Sequence, residues 1–281
     1  MTSRFCDTKA ARSAISALGL ATSAVAVLLF SASVEGRPAT AAESPLYCGA
    51  SASGVPDPSP WRLPTSHGIH EFRESVVVTF PAGMSSVTLE LWGGGGGGGG
   101  GSRGEPGSTG PLPRSGSGGG GGAGGSYSRL VLEVKRGVSY KFSVGAPGRG
   151  GAGQDVGAAL AGEDGGETYA CEGDGLVAWA RGGAGGSPSL NRSTAGAGGR
   201  GRIPELSART LASVLIRQGR DGRDGLTALF ESPGRGGEGG SAIAGSITPI
   251  GASGGDGGPG GYSEAGGAGR PGGIGTIILV W

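Results

Sequence analysis

Short runs of alternating apolar and polar residues recur along the chain, separated by blocks of glycine. In the run Ser86–Trp92, Val87, Leu89 and Leu91 point to one side and the residues between them to the other. This is the period of a strand with one buried face. Nine consecutive glycines, 93–101, follow directly. The pattern predicts a strand that continues into a glycine segment.

Further strand-like runs appear between the glycine blocks, at 71–80, 127–134, 139–144, 176–180 and 276–281. We expect 71–80 to be one strand, and we expect 127–134 and 139–144 to form a hairpin across 135–138. A flexible linker can also be rich in glycine. Here the glycines are interleaved with core-forming runs and do not separate two cores, which favours one folded glycine-rich domain.

Glycines also recur at every third position along the chain, as in 101, 104, 107 and 110, 219, 222 and 225, 251, 254, 257 and 260, and 266, 269, 272 and 275. A period of three is typical of polyproline II geometry, which has no internal hydrogen bonds and must bond sideways to neighbours. The runs are too short and too interrupted for a collagen triple helix. The pattern predicts packed polyglycine II helices, with solvated coil as the alternative.

One segment departs from this pattern. Residues 204–219 begin with Pro204, carry Leu211, Val214 and Leu215 on one side and end at Gly219, which favours a short helix. A strand at Val214–Arg217 is the alternative. The sequence therefore predicts an all-β fold with polyglycine II segments and at most one short helix.

The composition of the chain argues against some classes of function. Glycine accounts for 68 of 281 residues and aromatic residues for 5%, so a conventional aromatic core would be thin. The formal net charge is +1, which gives no electrostatic argument for binding nucleic acid or anionic lipid. We therefore expect no nucleic-acid partner.

The N-terminal region has the pattern of an export signal. Arg4, Lys9 and Arg12 precede 22 uncharged residues, 13–34, and Ala39-Thr40-Ala41 offers a cleavage site. We expect 1–41 to be a signal peptide, although an uncleaved membrane anchor is the alternative. Residues 42–67 would be an extended leader rich in proline and serine, and 68–281 the glycine-rich domain. The predicted location is extracellular or at the cell surface.

Three cysteines are present, and Cys6 would leave with the signal. Cys48 and Cys171 then remain in an oxidising compartment, where pairing is the expected outcome. Two unpaired thiols are the alternative, because the sequence does not show whether the two residues are close.

Candidate catalytic and cofactor motifs are weak. Gly93, Gly95 and Gly98 match G-x-G-x-x-G only because the tract is all glycine. His67 and His70 with Glu71 lack a third strong zinc ligand, and we interpret both histidines as solvated loop residues. Asp221, Asp224 and Asp256 lie in glycine contexts without the calcium repeat, which indicates solvated turns. We predict no cofactor, no metal and no enzymatic activity.

The strand and glycine motifs together resemble a known family. The relevant stretches read HEFRESVVVTFPAGMSSVTLELWGGGGGGGG, YSRLVLEVKRGVSYKFSVGAPGRGG, GLVAWARGGAGG and GGAGRPGGIGTIILVW. They are similar to the secreted glycine-rich domains of bacteria and phages, including the tip adhesins of T-even phage tail fibres, and to the glycine-rich domain of anaplastic lymphoma kinase. The resemblance covers about 68–281. It implies a β-sandwich base continued by packed polyglycine II helices, with recognition by loops at one end.

These features favour a non-catalytic surface recognition or adhesion module over a structural wall or coat protein, or an ice-binding protein. The partner would be a surface protein or a glycan. The sequence concentrates its diversity in insertions at Ser102–Ser117, Ser187–Gln218 and Leu226–Pro233, and loops on rigid scaffolds commonly carry binding surfaces. The insertions hold arginines that can engage carboxylates or sugars, at Arg103, Arg114, Arg192, Arg200, Arg202 and Arg209.

Overall fold

The computed structural model describes residues 48, 60–62, 67–105, 115–155, 158–203, 214–229, 232–243, 252–262 and 264–281. The predicted signal peptide, most of the leader, Arg114 and Arg209 lie outside these residues. Residues 45–281 form one compact unit. Its described part contains ten strands and no helix, which confirms the predicted all-β class.

The strands form two five-stranded sheets. In chain order they are β1 (Pro60–Arg62), β2 (Ile69–Phe72), β3 (Val76–Thr79), β4 (Ser86–Trp92), β5 (Tyr127–Glu133), β6 (Ser139–Ser143), β7 (Thr168–Glu172), β8 (Gly175–Ala180), β9 (Val214–Arg217) and β10 (Thr276–Val280). The first sheet has the order β1-β3-β6-β7-β8, and the second has the order β2-β10-β4-β5-β9. Neighbouring strands are antiparallel except β1 and β3, which are parallel.

One hydrophobic core lies between the two sheets. The first sheet contributes Val78, Tyr140 and Phe142, and the second contributes Leu89 and Ile277, all of them buried in the same cluster. Phe80 packs edge-on against Tyr140 with ring centroids 5.0 Å apart. Because side chains of both sheets meet in this single layer, the strands form a β-sandwich.

One predicted strand pairing and one predicted continuous strand are wrong. β5 and β6 lie where expected but belong to different sheets, so residues 134–138 carry the chain across the sandwich edge and do not close a hairpin. The run 71–80 is likewise split into β2 and β3, one in each sheet. In both cases the alternation of apolar residues is correct. Two strands bury the same alternate residues whether they pair within one sheet or face each other across the core, so the pattern does not distinguish these arrangements. His70, predicted to be in a loop, lies in β2 with its ring centroid 4.6 Å from that of Phe72.

β4 is buried on both faces, whereas the alternation predicts one buried face. Glu90 and Trp92 are fully buried on the side away from the sandwich core. Trp92 packs there with Tyr127 and Ile278 in a second apolar cluster. Its Nε1 donates to the Ile243 carbonyl oxygen at 2.7 Å. The later segment around 243 thus covers a face that the local pattern alone marks as polar.

The segment 204–219 contains a strand where a short helix was favoured. Val214–Arg217 is β9 and pairs with β5, with Leu215 opposite Arg129. Residues 204–213 lie outside the described part of the chain. The β-branched residues Val214 and Ile216 suit this strand, and pairing with an existing sheet decides the outcome over local helix propensity.

The glycine tract 93–101 is the centre of a polyglycine lattice that extends from one end of the sandwich. Successive amides donate at 2.8 to 3.0 Å to three different segments in a repeating order, 116–126, 158–167 and 264–275. Successive carbonyl oxygens accept at 2.8 to 2.9 Å from three others, 181–190, 145–154 and 252–261. Six neighbours bonded with a period of three form the sideways bonding that the glycine spacing predicts.

Close approach explains why the tract is glycine. A Cβ placed on any of these nine residues would lie 1.9 to 2.2 Å from a neighbouring backbone carbonyl oxygen. At Gly97 the oxygen is that of Arg149, at 1.9 Å. No side chain fits such a gap without moving the neighbouring backbone, so each position requires glycine.

Five antiparallel hairpins of extended chain build the lattice. They are 93–102 with 115–126, 145–155 with 158–167, 181–190 with 194–203, 218–229 with 232–243, and 252–262 with 264–275. The outgoing arms of the first four hairpins follow β4, β6, β8 and β9, and the fifth begins at Ala252, which is buried with Trp92 beside the second sheet. The described far ends of the five hairpins therefore lie together at the end of the lattice away from the sandwich.

Aspartates on the outer helices bind amides that face away from the lattice. Asp221, Asp224 and Asp256 accept hydrogen bonds from the amides of Gly201, Gly198 and Gly239, at 2.6, 2.8 and 3.0 Å. The three aspartates are exposed, as expected, but they lie on extended arms of the lattice and not in turns. Their position next to glycine lets the carboxylate reach the neighbouring helix, where it satisfies a backbone donor.

The predicted Cys48–Cys171 disulfide is present, with Cα atoms 5.7 Å apart. Cys171 lies in β7 and is fully buried. The bond joins the leader to the first sheet across a sequence separation of 123 residues.

Candidate functional site

The described residues at the far ends of the five lattice hairpins form the candidate site, which we call the tip. It comprises the described residues 102–105, 115–117, 154–155, 189–194, 228–229, 232, 261–262 and 264. Three short bridges hold the chain here, Ser115 with Tyr262, Asn191 with Thr194 and Leu229 with Ser232. The turns come from distant parts of the sequence, so the tip exists only when the lattice is packed.

Buried serines fix the turns relative to one another. The hydroxyls of Ser102 and Ser189 lie 3.1 Å apart, and Ser102 Oγ accepts from the amide of Ser117 at 2.9 Å. Ser117 Oγ donates to the carbonyl oxygen of Arg192 and accepts from the amide of Ala228 at 3.1 Å. The first, third and fourth hairpins are thereby linked by hydroxyl groups in positions where glycine would provide no such bond.

Two of the predicted binding arginines lie at the tip, and both form ion pairs within the chain. Arg103 Nη1 lies 3.5 Å from Asp155 Oδ1 and donates to the Asp155 carbonyl oxygen at 2.8 Å. Arg192 pairs with Glu105. These pairs tie the second and third hairpins to the first. Because the guanidinium groups already have carboxylate partners, they hold the turns in place and present little free positive charge.

The other predicted arginines are not at the tip. Arg202 lies near the sandwich end of the lattice and pairs with Asp164, whose second oxygen accepts from the amide of Gly185 at 2.9 Å. Arg200 is exposed on the outer side of the third hairpin. Arg114 and Arg209 fall outside the described residues. The structure therefore does not gather the six arginines into one site.

The tip instead exposes large apolar side chains that the sequence analysis missed. Leu190, Leu229 and Tyr262 are 72%, 71% and 43% exposed, and each belongs to a different hairpin. Each lies in a short segment between glycine runs, and large apolar residues in such segments, such as Leu229 followed by Phe230, are the signal that could have identified them. Leu190 is fixed by its own amide, which donates to the Thr194 carbonyl oxygen at 3.2 Å.

One predicted insertion is not a single loop. Ser187–Gln218 contains the returning arm of the third hairpin and the strand β9, so only its first part, 189–194, belongs to the tip. Leu226–Pro233 fits its predicted role better, since it spans the turn of the fourth hairpin. The tip is thus smaller and more regular than the insertions indicate.

The perturbed titratable groups lie in the sandwich. Burial raises the pKa of Tyr127 well above its usual value, and the nearby Glu90 carboxylate raises it further. Burial also raises the pKa of Tyr140, whose hydroxyl oxygen accepts from the Lys135 amide at 3.1 Å. Within the described ranges, no three His, Cys, Asp or Glu side chains converge as a metal site.

Comparison with known proteins identifies the domain type. A family model described as "Glycine-rich domain" matches residues 71–281. No curated protein matches the sequence. In the part of the chain that the structure describes, no helix has the length and apolar character needed to cross a bilayer.

Proposed function

The chain belongs to the glycine-rich domain family, and we propose that it is an exported, non-catalytic recognition or adhesion module that binds a surface protein or glycan through the tip. The observation that carries the proposal is the exposure of Leu190, Leu229 and Tyr262 at the tip. Buried serines brace the turns of Leu190 and Leu229, and the amide of Gly261, next to Tyr262, donates to the Ser102 carbonyl oxygen at 3.0 Å. Exposed aromatic and aliphatic side chains on rigid supports lose little conformational entropy on binding, which favours their use as contact residues.

Export is part of this proposal. The basic and apolar N-terminal pattern supports it. The Cys48–Cys171 disulfide also supports it, because such bonds persist in oxidising compartments.

The charge pattern at the tip favours a contact dominated by shape and apolar area. Arg103 and Arg192 are paired with Asp155 and Glu105, so their main contribution is to position the turns. An ice-binding role is less well supported. The outer faces of the lattice carry ion pairs, such as Arg223 with Glu238 at 3.0 Å and Arg270 with Asp256 at 3.6 Å, and these interrupt a flat face of small side chains.

The test compares the secreted chain with a tip variant carrying Leu190→Ser, Leu229→Ser and Tyr262→Ser. A matched control carries Ala146→Ser, Ala197→Ser and Arg200→Ser, three exposed lattice positions away from the tip turns. Each protein is applied to a glycan array and, on fluorescent beads, to a panel of intact cells. We expect the parent and control to bind a common target and the tip variant to bind it at least about tenfold more weakly.

A chain that binds neither the glycans nor the cells would contradict the proposal, as would a tip variant that binds as well as the control. In either case a structural wall or coat role becomes the better account. Equal melting temperatures of the three proteins show that the comparison concerns the surface and not folding.

A further inference from the structure

The edge of the second sheet carries an apolar strand. β9 pairs with β5 on one side, and no described strand lies on its other side. Val214, Leu215 and Ile216 are 40%, 40% and 38% exposed. Unpaired edge groups next to apolar side chains favour pairing with another strand, and natural edge strands usually carry charges or proline that prevent it. In β9 only Arg217 is charged.

The apolar surface continues beside the strand. The Gly219 amide donates to the Arg202 carbonyl oxygen at 3.1 Å, which places Ile203 next to the end of β9. Ile203 is 62% exposed. Val214 and Ile216 therefore lie on one face of the edge strand and Leu215 on the other, with Ile203 beside the end of the strand that leads into the lattice.

We propose that this edge pairs with the same edge of a second copy of the chain. The two β9 strands would run antiparallel about a two-fold axis and join the two second sheets into one ten-stranded sheet. The proposed partner strand is β9 of a second copy because β9 can pair with itself so that its apolar residues lie opposite apolar residues.

Symmetry restricts the register. An axis perpendicular to the sheet places residues of the same face opposite each other. With Leu215 on the axis, Leu215 faces its copy and Val214 faces Ile216, so every central contact is apolar. The two Arg217 residues then lie at opposite ends of the interface. With Ile216 on the axis, Arg217 would face Leu215, and with Arg217 on the axis two like charges would meet.

The topology fixes the orientation of the two copies. β9 runs towards the lattice, because residues 218–229 continue from it to the tip. Antiparallel pairing therefore directs the two lattices to opposite ends of the dimer. If the tip is the recognition surface, as in the proposed function, the dimer presents one tip at each end and bridges two surfaces.

The first test measures mass in solution. Four-residue strands form a small interface, so we expect a weak dimer with a dissociation constant on the order of micromolar. Sedimentation equilibrium of the secreted chain, from roughly 1 to 500 µM, should show a rise from one to two copies. Leu215→Lys, which places two lysines on the axis, should remain a single copy throughout. Leu160→Lys, at an exposed position on the lattice, should dimerise like the parent.

The second test measures register. Directly opposed residues of an antiparallel pair have Cα atoms about 4.5 to 5.5 Å apart, within reach of a disulfide. Leu215→Cys should therefore cross-link to itself on mild oxidation. Ile216→Cys should not cross-link alone but should do so when mixed with Val214→Cys. Peptide mapping by mass spectrometry identifies the linked residues and separates them from Cys48 and Cys171.

A parent chain that stays a single copy over the whole range would overturn the proposal, as would Ile216→Cys cross-linking to itself as efficiently as Leu215→Cys. Tip binding by a chain that does not dimerise would leave the proposed function standing without this interface. Dimerisation without any tip binding would support the interface and count against the proposed function.

Discussion

Gly97 and Arg149 approach each other so closely that a Cβ on Gly97 would lie 1.9 Å from the Arg149 carbonyl oxygen. The amide of Gly97 bonds at 2.9 Å to the Glu163 carbonyl oxygen, in another neighbouring segment. Gly97 thus donates a hydrogen bond to the segment of Glu163 and contacts the segment of Arg149 through its Cα. This relationship, repeated along 93–101, gives the lattice its stability and its intolerance of side chains.

Gly97→Ala should destabilise the domain by about 3 kcal/mol or more, because the added methyl group forces neighbouring backbone to move. Urea unfolding followed by circular dichroism measures the change. Ala152→Ser, at an exposed position on the adjacent segment, is the matched control and should change stability by less than about 0.5 kcal/mol. Equal stabilities of the two variants would contradict the packing described for the tract.

Replacing both Cys48 and Cys171 by alanine should lower the unfolding free energy by about 4 to 5 kcal/mol, since the bond closes a long loop in the unfolded chain. The double substitution avoids a buried free thiol at position 171. Denaturant titration of parent and variant measures the difference. Intact mass after alkylation of the native parent should show no labelling at either cysteine. An unchanged stability would show that the leader bond contributes little.

Asp256→Ala should cost about 1 kcal/mol, because the amide of Gly239 loses its acceptor. Asp256→Asn keeps a side-chain oxygen for that amide and loses only the exposed ion pair with Arg270. We expect it to cost less than about 0.5 kcal/mol. Thermal melts at low and high salt separate the two contributions. A larger loss for asparagine than for alanine would assign the main role to the ion pair.

The buried tyrosines predict a loss of stability at alkaline pH. Burial and Glu90 raise the pKa of Tyr127 in the folded state above its ordinary value of 10.0. The protonated form is therefore favoured by folding, and its contribution is complete below pH 10. It declines above that pH, as the unfolded chain ionises first. The melting temperature of the parent should fall above about pH 10. The melting temperature of the Tyr127→Phe variant should fall less steeply over the same pH range.

Absorbance of tyrosinate provides a second readout of the same effect. Tyr127 should ionise only with unfolding, so its tyrosinate absorbance should appear together with the unfolding transition. A Tyr127→Phe variant with the same alkaline slope as the parent would exclude this residue as the cause.

The sequence alone determined the features that depend on local geometry. The alternation in 86–92 located β4, and the glycine period of three predicted the sideways bonding of the lattice, because each period reports how side chains are arranged along a single segment. Cys48 and Cys171 were correctly expected to pair. The all-β class followed from the same patterns.

The tertiary structure alone decided which segments meet. The alternation did not distinguish β5 pairing with β6 from β5 facing β6 across the core, because both arrangements bury Leu130 and Phe142. It did not show that Ile243 covers Trp92, or that β5 draws Val214–Arg217 into a strand. It also did not show that Arg103 and Arg192 are paired while Leu190, Leu229 and Tyr262 face solvent. Contacts between distant segments depend on complementary surfaces, and a local period carries no information about the surface that will lie opposite.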